Sequence, residues 1–245
     1  MLKRHEIDLY PMQIKIVDAC RTAFKSYRRV VLQAATGLGK TVIATWIINE
    51  AVQRGKRCLF VCDRISLINQ TSEKFSDYGI THGIYQADNP FYDPMLPVQL
   101  GSIQTLARRK QREYDLIIID ECHTWFKAHS KLLEHNPDAL VLGLSATPFT
   151  KGLGKHFDCH IEPVPMKELI RMGYLSKFEI FGPVDIDLSG VRVLAGEYRE
   201  DDLFQAAYKP KLIADVVQSW KKLAYGLKTI CFVVNVAHEI GRAHV

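Results

Sequence analysis

The chain has 245 residues, 47% hydrophobic and 24% charged, the balance of a soluble globular protein with a real core. Its start, MLKRHEIDLYPMQ, is polar and mixed in charge, so no signal peptide is expected, and apolar runs such as Leu116 to Ile119 are far too short to cross a bilayer. A net charge of +5 permits a polyanionic partner without arguing for one; no membrane association is expected, and the cytoplasm is the default location.

In chain order, Val30 to Ala34 reads as a buried strand, followed by a Gly-rich turn and a helix from Lys40 to Gln53. Arg57 to Cys62 is strand again, then a helix runs from Ser66 to Tyr78. Val98 to Ile103, Leu116 to Asp120 and Ala139 to Leu144 are further strands. Strands separated by helices at this spacing predict a parallel α/β sheet with crossover helices. Pro163-Val164-Pro165 breaks the pattern and closes a first domain over residues 1–165. Residues 166–208 are mixed and read as a linker or insertion. A helix from Pro210 to Lys222 and a strand in KTICFVVN then open a second α/β domain over 209–238. One strand and one helix cannot bury a core of their own. Residues 239–245, Glu-Ile-Gly-Arg-Ala-His-Val, are the translation of a widely used short-read sequencing adapter and are expected to be an artefact.

Of the six cysteines, Cys58 and Cys62 lie four apart in an apolar run, where strand geometry puts both on one face and core packing is the expected role. Cys159-His160 has no second pair at metal spacing, so neither zinc nor disulfides are expected in this segment.

The chemistry is concentrated at strand ends. Ala34-Ala35-Thr36-Gly37-Leu38-Gly39-Lys40-Thr41 follows a strand and opens a helix. Glycines there let backbone N–H groups curl around phosphate oxygens, and the helix N-terminus adds partial positive charge. Lys40 then reaches the β- and γ-phosphates of a nucleotide and the Thr41 hydroxyl binds Mg²⁺. The general pattern has Gly at position 34, where this chain has Ala. Eighty residues after Lys40, an apolar strand ends in Asp120-Glu121. In-line phosphoryl transfer needs one carboxylate for the metal and one for the attacking water, roles that fit Asp120 and Glu121 respectively. Taken alone, an Asp-Glu pair would more often end a solvated loop.

Asp120-Glu121-Cys122-His123 resembles the DEAD/DEAH-box signature of superfamily 2 helicases, and Ser145-Ala146-Thr147-Pro148 resembles their third motif. The resemblance implies a RecA-like P-loop ATP-binding domain that uses ATP and Mg²⁺, with His123, Ser145 and Thr147 coupling nucleotide state to grip on nucleic acid. Helix capping and turn formation would account for Ser145 and Thr147 equally well. Tyr10-Pro11-Met12-Gln13 is similar to the segment whose glutamine reads adenine, which would give Gln13 that role. Cys62-Asp63-Arg64, with Gln70, resembles motif Ia, and Ser102-Ile103-Gln104-Thr105-Leu106 the next strand-end motif. Arg64, Gln70, Ser102, Gln104 and Thr105 would contact the nucleic-acid backbone, positioning a strand without reading bases. Plain surface polarity is the competing account, and the basic run Arg108-Arg109-Lys110 extends this track or simply faces solvent. DRISLINQ, SIQTLARR and ELIRMGYL most resemble the RadD-like bacterial and phage DNA helicases, across nearly all of residues 1–238. DNA as the partner rests on that resemblance alone.

In such helicases a second RecA-like lobe of the same chain supplies an arginine finger to the γ-phosphate. Only the truncated start of that lobe is expected here, so the chain is expected to turn over ATP slowly and not to unwind duplexes. The leading function is an ATP-dependent helicase or translocase. The alternatives are a duplex-DNA motor of a restriction or remodelling system, a non-motor P-loop ATPase switch, and a one-lobe binding module.

Overall fold

A strand inside a parallel sheet is buried on both faces and therefore reads as a continuous apolar run. Five such runs form the middle of this protein. The computed structural model describes residues 7–63, 65–86, 89–108, 112–181, 187–194, 197–207 and 210–232. Arg64 and the adapter-like tail 239–245 lie outside the described residues.

The elements follow as α1 (Pro11–Ala23), β1 (Arg29–Gln33), α2 (Lys40–Gln53), β2 (Cys58–Cys62), α3 (Ile65–Asp77), β3 (His82–Tyr85), β4 (Val98–Ser102), α4 (Ile103–Leu106), β5 (Leu116–Ile119), α5 (Lys127–His135), β6 (Leu140–Ser145), β7 (Cys159–Ile161) and α6 (Met166–Arg171). The seven strands form one sheet in the order β3-β4-β2-β5-β6-β1-β7, with every neighbouring pair parallel. The α/β parallel sheet expected from the sequence is therefore present. The strand period of two divides its side chains between two cores. Val30, Leu32, Cys58, Phe60, Cys62 and Ile118 pack under α1, α2 and α3, against Ile16, Ile43, Ile48, Ile68 and Phe75. Val31, Leu59, Val61, Ile117, Ile119 and Val141 pack on the other face, against Leu106 of α4 and Leu132 and Leu133 of α5. Cys58 and Cys62 share the first core with Phe60, as their spacing demands, and all six cysteines are free thiols.

This unit extends to Lys177, and the fully buried Leu169 of α6 belongs to its first core. Residues from Phe178 onward form a separate unit. It contains the antiparallel pair β8 (Val193–Leu194) and β9 (Glu197–Tyr198), then α7 (Glu200–Ala207) and α8 (Pro210–Leu223). The Arg192 guanidinium grips Asp202 with two hydrogen bonds, at 2.6 and 2.8 Å. The helix expected from Pro210 is α8. The strand expected from Lys228 is absent over its described part, Lys228–Phe232. Ile230 is 82% and Phe232 91% exposed, and Thr229 instead accepts a hydrogen bond from the Trp220 indole N–H. An apolar run becomes a strand only where a partner ladder receives it. No described helix is long and apolar enough to cross a membrane.

Candidate active site

Parallel strands deliver the residues that follow them to one edge of the sheet, where open α/β folds bind ligands. Here β1, β6, β5, β2 and β4 end at Gln33, Ser145, Ile119, Cys62 and Ser102. The loop after β1 is anchored at its start by Ala34, whose N–H donates to the Ser145 carbonyl at 2.9 Å, and by the burial of Ala34, Ala35 and Leu38. Thr36 and Gly37 are exposed. Gly39 is the N-cap of α2 with φ 82° and ψ 42°, a left-handed conformation that a side chain at this position would resist. It caps nothing with a side chain, so the first-turn amides of α2, from Lys40 onward, keep their N–H groups at the helix N-terminus. Thr41 opens the same turn and its carbonyl accepts from the Thr45 hydroxyl.

Gln13 ties α1 to this loop. It is buried, its Nε2 donates to the Leu38 carbonyl at 3.0 Å, and its Oε1 accepts from the Tyr10 N–H at 2.9 Å. Both ends of the amide thus have protein partners, one of them in the loop itself.

Across the sheet edge, Asp120 and Glu121 follow β5. Burial, then the neighbouring Glu121 carboxylate, raise Asp120 to about 6, against the partial relief given by Lys40. Glu121 is the described non-glycine residue with positive φ, at 48°, a conformation uncommon for a side-chain-bearing residue and frequent at functional sites. That turn aims the carboxylate at the loop: Oε1 lies 3.6 Å from Lys40 Nζ, and Oε2 lies 3.2 Å from His123 Nδ1. The same His123 nitrogen is 3.0 Å from the hydroxyl of Ser145, which is fully buried and also accepts from the Thr147 N–H at 3.0 Å. Lys40, Glu121, His123, Ser145 and Thr147 therefore form one continuous polar chain. Gln13, the loop, Asp120 and this chain are brought together.

The residues expected to track nucleic acid form a second group. Ser102 N-caps α4; its hydroxyl accepts from the Thr105 N–H and donates to the Thr105 hydroxyl. Gln104 is exposed and its side chain donates to the Asp63 carbonyl at 2.9 Å, joining the ends of β2 and β4. Gln70 stands exposed on α3. Two contacts carry no local signal in the sequence. A Cβ on Gly37 would lie 3.3 Å from Leu175, and Tyr10 pairs with Tyr174 at 6.1 Å between ring centroids. A cavity of about 570 Å³ opens elsewhere, between the carboxyl halves of α1 and α2. Its acids are already matched: Glu50 with Arg21 and Arg54, Asp115 with Lys56, and Asp138 with Arg28.

The donor set at the sheet edge suits a nucleoside triphosphate with a divalent cation. The uncapped first-turn N–H groups of α2 and the Lys40 ammonium suit phosphate oxygens, and a half-buried carboxylate held above its ordinary range would gain by meeting a cation.

The family model described as Type III restriction enzyme, res subunit, matches residues 6–150. A 51.5 kDa protein of a Lactococcus phage is 29% identical over 212 residues, 84% of this chain and 44% of that protein. The Type I restriction enzyme EcoAI endonuclease subunit of Escherichia coli is 30% identical over 190 residues, 69% of this chain and 23% of that subunit. The chain thus spans less than half the length of these relatives. Among solved structures, the UvsW helicase of bacteriophage T4 superposes with TM-score 0.55 at 18% identity, over 63% of this chain and 60% of that one. A nuclease-deletion mutant of the Type ISP restriction-modification enzyme LlaGI, in complex with a DNA substrate mimic, gives TM-score 0.55 at 17% identity, over 68% of this chain and 21% of that one. These two establish the shared fold. With its parallel sheet and its strand-end motifs in order, the chain belongs to the family of the Type III restriction enzyme res subunit, the amino-terminal ATP-binding lobe of superfamily 2 helicases.

Proposed function

We propose that this lobe binds ATP at the Thr36–Thr41 loop and, within the motor it belongs to, couples hydrolysis to movement on DNA. The single observation that carries the reading is the polar chain from Lys40 through Glu121 and His123 to Ser145 and Thr147. Lys40 and the first-turn amides of α2 hold the β- and γ-phosphates. Thr41 and Asp120 would hold a Mg²⁺ ion, which when bound would supply Lewis-acid neutralisation of charge on the phosphate oxygens. Glu121 takes a proton from the attacking water as its oxygen bonds to the γ-phosphorus and the bond to the ADP oxygen breaks. His123 senses that event directly, because it contacts Glu121, and passes it to the fully buried Ser145 at the end of β6. Gln70, Gln104, Thr105, Ser102 and Arg64 lie on or beside the strand-end motifs assigned to the nucleic-acid backbone, with the Gln104–Asp63 bond holding two of those motifs in register.

On its own the 245-residue chain turns over ATP slowly, because among the described residues Lys40 is the cation placed at the carboxylate pair and phosphoryl transfer in this class gains several powers of ten from an arginine finger. A second reading, a motor that moves on duplex DNA without separating it, is favoured by the EcoAI and LlaGI relatives, both restriction enzymes by name. The test is nucleotide titration of this chain and its Lys40→Ala variant, followed by ATPase assays with and without DNA on the longer protein. DNA-stimulated turnover supports the proposal, and turnover indifferent to DNA moves it to a non-motor switch. Displacement of streptavidin without strand separation selects the duplex motor.

A further inference from the structure

Glu121 acts as the base only if its carboxylate is held in place, and, resting on that reading, the geometry behind its turn shows what holds it. We infer that Trp125 is a positioning residue: its indole, packed against His156, Phe157 and His129, locks the backbone turn that sets the Glu121 carboxylate for the attacking water.

At φ 48°, Glu121 adopts a conformation that strains a side-chain-bearing residue and persists only where its surroundings over-determine it. Its N–H donates to Asp120 Oδ1 at 3.1 Å, and its carbonyl accepts from the Thr124 N–H at 2.9 Å. Both bonds stay inside the turn. The anchors follow it. Cys122 is fully buried, and its N–H donates to the Leu144 carbonyl of β6 at 3.0 Å. Trp125, next after Thr124, lies flat on His156, with ring centroids 4.2 Å apart and planes 13° apart. It meets Phe157 edge-on at 5.6 Å and His129 at 4.9 Å, and its Nε1–H donates to the Ser130 hydroxyl at 3.1 Å. Four groups thus fix the orientation of one partly buried indole.

The wall behind Trp125 belongs to the strands that carry the rest of the site. Phe157 fills the space over Gly143 of β6, where a Cβ would stand 2.7 Å from the ring and 2.8 Å from Cys122 Sγ. The Asp158 N–H donates to the Arg29 carbonyl at 2.8 Å, and β7 then runs beside β1, the strand that leads into the phosphate loop. Trp125 therefore ties the Glu121 turn to β6, which ends at Ser145, and to β1, which ends before Lys40. Without the indole the turn is free to relax toward an ordinary backbone conformation. The carboxylate then leaves its place 3.6 Å from Lys40, while Lys40 and the first-turn amides of α2 stay where they are. Base alignment is lost and phosphate binding is kept.

The experiment compares the full chain with its Trp125→Ala, Trp125→Phe, His156→Ala and Glu121→Gln variants. Affinity is read by titration with fluorescent ATP, and chemistry by single-turnover hydrolysis of radiolabelled ATP with protein in excess. Trp125→Ala and His156→Ala should hydrolyse on the order of tenfold more slowly, well within the cost of misplacing a reacting group by about an ångström, with ATP affinity within about twofold of wild type. Trp125→Phe keeps a flat ring for His156 and gives up the Ser130 bond; it should restore most of the rate. His156→Ala, which removes a partly exposed neighbour and keeps the indole, decides the matter if Trp125→Ala does not fold. Rate and affinity that fall together make Trp125 a support of the whole lobe and overturn the positioning role. A wild-type rate in either alanine variant overturns it, as does a Trp125→Phe rate no better than that of Trp125→Ala. A wild-type chain that binds no ATP, or hydrolysis that persists in Glu121→Gln, brings down the reading of Glu121 itself and the positioning role with it.

Discussion

The Lys40 ammonium stands 3.6 Å from the Glu121 carboxylate across the mouth of the loop, with both groups partly exposed. A weak, solvent-screened pair of this kind stabilises the fold little and is easily exchanged for a phosphate oxygen. Glu121→Gln removes the negative charge that competes for Lys40 while keeping the side-chain shape. Nucleotide affinity should therefore hold or rise. Turnover should fall by roughly two to four powers of ten, the range a lost general base commonly gives. Fluorescent-nucleotide titration and phosphate release on the same preparations check both halves. A variant that loses binding and turnover together would show that Glu121 builds the loop and does no chemistry.

Asp120 is held at about 6, above its ordinary 3.8, so the folded protein keeps a proton there that the unfolded chain has lost. The sign follows: this carboxyl costs nothing below pH 3.8, and above about 6 its ionised form costs the fold on the order of 3 kcal/mol. Asp120→Asn should accordingly raise the melting temperature near neutral pH by about 6–12 °C. The same variant should lose the dependence of ATP binding on Mg²⁺. Differential scanning fluorimetry with and without Mg²⁺ and ATP measures both.

The loop, Asp120-Glu121 and Ser145-Ala146-Thr147 were legible in the sequence because phosphate chemistry restricts them to short local patterns. The central strands were legible because both of their faces are buried. β3 and β7 were not, having only four and three residues at the two edges of the sheet, with β7 nowhere fully buried. The apolar run from Lys228 misled for the opposite reason: its composition suits a buried strand, but hydrogen-bond partners are not written in composition. Tyr174 and Leu175 meet Tyr10 and Gly37 only because α6 returns to the first unit, a long-range packing event with no local period.

Gln13 separates a positioning role from base reading. Gln13→Ala deletes two hydrogen bonds, each worth about 1 kcal/mol, and leaves the Leu38 carbonyl without its donor. The melting temperature should fall by about 4–8 °C. Affinities for ATP and tripolyphosphate should decline in parallel, because what is disturbed is the loop. A loss confined to ATP would instead assign the amide to the adenine.

His129 gives the most distinctive pH signature. It is buried against Trp125, and its Nδ1 accepts from the Phe126 N–H at 3.1 Å. Burial, then the nearby His156, lower it from 6.5 to about 4. Between those values the unfolded chain binds the extra proton, so stability is complete above 6.5 and is lost as pH falls toward 4. Asp120 acts in the opposite direction over nearly the same window, and the two largely cancel in the wild-type protein. Asp120→Asn should therefore expose an acid lability of roughly 3 kcal/mol between about pH 7 and pH 4. His129→Asn, whose side-chain oxygen can replace the Nδ1 acceptor, should invert the profile and make the fold steadier in acid than at neutral pH. Urea unfolding across that range measures each slope. Parallel profiles for both variants and the wild type would remove these two groups as the source of any pH dependence.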